Sequence, residues 1–138
     1  MRPFTKEWIK AALDDLLTIE EIINNHHLTH IVAFHSQQCI EKLMKALMEE
    51  KEIDTPKIHK LTKLQKFIHS DLDELDEKVL NTLDQLYIES RYPGELGLLP
   101  NGKPTLKDAQ EFYDFTQKLF DDVCKKFNVD KNEILKSQ

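Results

Sequence analysis

The sequence predicts an all-α fold, an up-down antiparallel bundle of four main helices plus a short one. Three observations carry this. Apolar residues recur at spacings of three and four along four long stretches, the period of one helix face. Only three glycines occur in 138 residues, too few for the turns of a β-sandwich or barrel. Leu, Lys, Glu and Asp are abundant, a composition that favours helices. A chain this long buries roughly two thirds of its unfolded surface and needs neither disulfide nor metal to fold. It reads as one domain over 1–138, with a core of about 5–127 and a polar tail at 128–138 that frays.

The first helix follows from the stripe Trp8, Ala12, Leu16, Ile19 and Ile23, with Thr5 as its N-cap and Glu7 near its positive end. Asn24-Asn25-His26-His27 closes it. Thr29 caps a second helix running to about Lys51, with Val32, Ser36, Cys39, Leu43, Ala46 and Leu47 on one face. Pro56 pushes the residue before it out of helical geometry and ends that run. Leu61, Leu64, Phe67 and Ile68 make a short third helix. Leu72, Leu75, Val79, Leu83, Leu86 and Tyr87 make a fourth, ending near Ser90. Thr105 and Asp108 form a capping signal for the fifth, which continues through Phe112, Phe115, Leu119, Val123 and Phe127.

Between the last two helices, the segment 91–104 holds all three glycines and three of the five prolines. It is too long for a simple helix connection, and such loops commonly carry function. Leu96, Leu98 and Leu99 within it are expected to pack on the bundle or on a second protein.

The formal net charge is −6, so the chain lacks the positive field that drives non-specific binding to double-stranded DNA. Cys39 and Cys124 have no CxxC spacing and read as buried thiols of a reducing compartment. The N-terminus has no apolar signal core, and no stretch approaches the roughly 18 apolar residues of a membrane helix. A cytoplasmic protein without membrane contact is expected.

Candidate binding residues fall in two places. On the second helix, His35, Gln38, Glu41, Lys42 and Lys45 follow one ridge beside the apolar stripe. Such a ridge can orient a ligand; alternatively, Gln38 and Glu41 make interhelical hydrogen bonds while Lys42 and Lys45 are solvated. At the loop entrance stands Arg91, one of only two arginines. It can clamp a phosphate, with Tyr87 or Tyr92 offering a ring for a base. It can equally pair with Glu41, Glu89 or Glu95.

The second-helix stretch Ala33–Leu47, followed by Lys57-Ile58-His59-Lys60-Leu61-Thr62-Lys63-Leu64, resembles the HEPN family. Trp8, Ala12, Asp15 and Leu16 fit its first helix. Ser90-Arg91-Tyr92-Pro93 and Thr105, Asp108 and Ala109 look like the loop and last helix of one bacterial and archaeal branch. The resemblance spans roughly 5–125. It implies a helical bundle, usually a homodimer, associated with nucleotide binding. It also implies a minimal nucleotidyltransferase partner in a two-gene toxin–antitoxin-like module.

Some HEPN proteins are metal-independent ribonucleases, using an Arg, a polar residue, several further positions and then a His. Neither Arg2 nor Arg91 is followed by a His at that distance, and such chemistry needs an imidazole to move a proton near neutral pH. No catalytic residue is therefore assigned. Nor is the chain the partner transferase, because Asp71-Leu72-Asp73 lacks the preceding Gly-Ser turn that holds such a metal pair. The glycines match no phosphate loop. His26/His30 and His35/Cys39 are each four apart, but no further ligand motif accompanies them, so no metal or cofactor is expected. The leading expectation is a non-catalytic bundle that binds a nucleotide or a nucleotidyltransferase. Its rivals are a ribonuclease with a rearranged site, using Arg91 with His59 or His35, and a purely structural dimeric subunit.

Overall fold

The computed structural model describes residues 1–72, 75–90 and 103–136, the side chains of residues 89 and 90 excepted. All regular structure in them is helical: α1 Pro3–Ile22, α2 Thr29–Glu50, α3 Leu61–Leu64, α4 Glu77–Ser90, α5 Leu106–Lys126 and α6 Lys131–Lys136. A 3-10 turn at Gln65–Phe67 continues α3.

α2 is the central helix, with Val32, Ser36, Cys39, Leu43, Ala46 and Leu47 all buried. Its partners are α1, α4 and α5. Arg2, before α1, binds Glu50 and Glu49 at the end of α2, while Ile19 and Val32 pack together at the other end. α1 and α2 are therefore antiparallel. Lys51 reaches Ser70 and Asp71, and Tyr87 stacks on Phe34, so α4 runs back along α2 as well. α5 starts beside the α1–α2 turn through Ala109, and its Lys126 reaches Asp71.

Helix ends show where sequence and structure part. Pro3 sits in the first turn of α1, where its fixed φ and missing N–H cost nothing. The helix thus starts two residues ahead of Thr5, which is buried inside it and caps nothing. Thr29 likewise lies inside α2, after Leu28, and its hydroxyl makes no cap bond. Thr105 does cap α5, in a reciprocal box with Asp108 at 3.0 and 2.9 Å. α4 begins at Glu77, later than the apolar spacing predicts, because the Asp76 carboxylate accepts from the Lys78 N–H at 2.9 Å. Leu72 and Leu75 still pack on the core from the preceding segment. Phe67 points outward, 43% exposed, although it lies three residues after the buried Leu64.

α2 and α5 end alike. Glu52 and Asn128 take the left-handed conformation (φ 59° and 54°). The N–H of Ile53 then donates to Met48 O, and that of Val129 to Cys124 O, each at 3.0 Å. The expected frayed tail is instead α6. Asp130 accepts from the Glu133 N–H, and Ile134 is buried in the core. Among the described residues no helix is long and apolar enough to cross a membrane.

Candidate functional site

Two buried carboxylates organise the polar ridge of α2. Asp15, on α1, accepts from Lys42 Nζ at 2.7 Å and lies 2.9 Å from His35 Nδ1. Glu41, on α2, accepts from Lys45 Nζ at 2.9 Å and from Gln37 Nε2 at 3.2 Å, with His59 Nδ1 at 3.1 Å. Gln37 also donates to His59 O at 2.7 Å, and Gln38 donates to Gln37 Oε1 at 2.7 Å. An ionised carboxylate only accepts, so each imidazole turns a protonated Nδ1 inward and leaves Nε2 as its second functional atom.

Between those histidines runs a string of rings. His35 meets Phe34 edge-on at 5.3 Å, Phe34 stacks with Tyr87 at 5.8 Å, and Tyr87 lies 5.8 Å from His59. The His59 side chain is 52% exposed and that of His35 25%, so both ends of the string reach solvent. Asp84, buried on α4, fixes the far end. It accepts from the N–H groups of Leu61 and Thr62 at 2.7 and 3.2 Å, pinning the start of α3 two residues after His59. The string thus spans α2, the α2–α3 connection and α4, an arrangement able to stack a planar group and meet its polar edges with imidazoles.

A family model for the HEPN domain matches residues 5–127. The chain belongs to the HEPN domain family. No curated protein and no solved structure matches it.

The HEPN bundle joins His35 and Lys42 to Asp15, and gathers Gln38, Glu41 and Lys45 in a second cluster with Gln37 and His59, whereas Arg91 and Tyr92 lie outside the described residues. The alternative of solvated lysines fails for Lys45. Its ammonium is buried against Glu41 and 5.6 Å from the centre of the Trp8 ring. Glu41 ties α2 to His59 in the following connection, not to a facing helix, and Gln38 bonds within α2.

Sequence reasoning missed Asp15, Gln37 and Phe34 as parts of the site. Asp15 had a signal: it is the acid embedded in the apolar stripe of α1, beside Leu16. Gln37 stands four residues before Glu41 and can reach it. Among the described residues no three His, Cys, Asp or Glu side chains are grouped to hold a metal. Cys39 is fully buried, and that burial pushes its thiol well above the usual range, which removes it as a nucleophile.

Proposed function

We propose that this HEPN protein binds a nucleotide at the ring string as a non-catalytic module. The observation that carries the reading is a run of four rings ending in two histidines, each held by a buried carboxylate. In this reading the base stacks at Phe34 and Tyr87, and His35 and His59 meet its polar edges. Arg91, the next residue in sequence after α4, takes the phosphate with Lys42, and Tyr92 adds a second stacking surface. Asp15 orients the His35 imidazole and Glu41 that of His59, with Glu41 braced by Lys45 and by Gln37, to which Gln38 donates.

Calorimetric titration with ATP tests this. Stacking contributes about 1–3 kcal/mol per base, so Tyr87→Leu should weaken binding roughly tenfold, and Arg91→Ala should weaken it further. Absence of saturable heat with nucleotides in the wild-type protein would reject the reading. A homodimer and a nucleotidyltransferase partner complete the proposal, to be checked by light scattering and co-purification.

One observation favours the ribonuclease alternative. Glu41 holds His59 at Nδ1 while the side chain is half exposed, so an imidazole held by a carboxylate is open to solvent, the arrangement a proton-transfer group requires. RNA cleavage by the purified protein, lost in both His59→Gln and Arg91→Ala, would replace the binding-module reading.

A further inference from the structure

Beside the rings the surface carries an unbalanced charge. From Lys57 to Ser70 the chain holds four lysines and two histidines and no acidic residue, in a protein whose net charge is −6. Lys57, Lys60, Lys63 and Lys66 recur at every third position and all are exposed. Leu61, Leu64 and Ile68 are buried, and in a tight helix side chains three apart fall on one side. Lys63 and Lys66, three apart in this turn, and Lys60 just before it are all exposed, with Phe67 exposed next to Lys66.

Four carboxylates near the segment are engaged with other groups. Asp84 holds the backbone of Leu61 and Thr62, Glu77 accepts from Gln65, Asp71 pairs with Lys51 and Lys126, and Glu41 pairs with Lys45 and His59. All four lysines are exposed, and Phe67 adds an exposed apolar side chain to the same segment.

We propose that this ridge docks a short acidic segment of a partner protein, its carboxylates on the lysines and one apolar side chain on Phe67. Two features favour a peptide over a nucleic acid. The ridge is built of lysine without arginine. A compact ammonium pairs readily with scattered carboxylates, whereas phosphate and base recognition favour the arginine fork. The basic stretch is also short, bounded by Asp54 and Asp71. A long polyanion would extend beyond these four lysines, whereas a short segment matches their span. This surface does not depend on the nucleotide reading, since none of its lysines belongs to the ring string.

The test is fluorescence anisotropy on the full-length protein with a labelled helical peptide bearing Glu on one face and a single Leu. A matched Lys peptide and a single-stranded oligouridylate serve as comparison probes. The acidic peptide should bind saturably and more weakly as salt rises. Three exposed pairs together account for roughly one decade of affinity, so the triple variant Lys60→Glu, Lys63→Glu, Lys66→Glu should bind at least about tenfold more weakly. Phe67→Ser should weaken binding with the charges intact. All four positions are on the surface, and an unchanged circular dichroism spectrum and melting temperature confirm the fold of each variant. No saturable binding of the acidic peptide, or equal binding by the triple variant, overturns the proposal. Tighter binding of the oligouridylate, lost in the triple variant, also overturns it and assigns the ridge to nucleic acid.

Discussion

Removing the Glu41 carboxylate should be far more costly than removing its lysine partner. Both side chains are only 7% exposed, so this pair is not a surface ion pair of negligible worth. Glu41 serves Lys45, Gln37 and His59. In Glu41→Leu the buried Lys45 ammonium loses its carboxylate and, among the described residues, keeps only the Trp8 face, and stranding a buried charge costs about 3–5 kcal/mol. In Lys45→Met the carboxylate retains Gln37 and His59, so the loss is that of one charged hydrogen bond, about 1.5–3 kcal/mol. The double variant removes both charges and should cost at least about 2 kcal/mol less than the sum of the singles. Urea unfolding followed by circular dichroism reads all three. A Lys45→Met cost equal to or above that of Glu41→Leu, or strict additivity, would refute the network as described.

Asp84→Ala should destabilise by about 1–3 kcal/mol and speed amide exchange at Leu61 and Thr62, whose N–H groups lose their acceptor; exchange mass spectrometry localises the effect. Glu52→Gly should raise stability by roughly 0.5–1 kcal/mol in urea unfolding, because glycine relieves the left-handed strain at φ 59° and loses only an exposed pair with Arg2. Burial pushes the Cys124 thiol up to about 11, so the folded state favours the protonated thiol. Its contribution is full below the ordinary thiol value near 9 and is lost as pH rises through about 11. Cys124→Ala should flatten that part of the stability–pH curve, and native Cys124 should react with a disulfide reagent at pH ~8 far more slowly than the unfolded chain does.

The long helices were legible because burial imposes the period. Every apolar position read along α2 is buried, and the Thr105–Asp108 box supplies its own signal. Helix starts were misread where two residue types compete for one end. Pro3 outranks Thr5, and Asp76 cuts off a spacing that Leu72 and Leu75 continue. The tail looked polar because only Val129 and Ile134 among its described residues pack on the core, too little for a periodic signal. For the site, position on one helix revealed the ridge. Which partner neutralises each charge was not readable, because Asp15 and His59 lie 27 and 18 positions from Lys42 and Glu41 and meet them only after folding.

The most direct test of the nucleotide reading is an NMR titration with ATP, following the side-chain resonances of Phe34, His35, His59 and Tyr87. A base stacked on the string should shift all four saturably, while α5 and α6 stay near their unliganded positions. Shifts confined to other helices, or none at saturating nucleotide, would contradict the account.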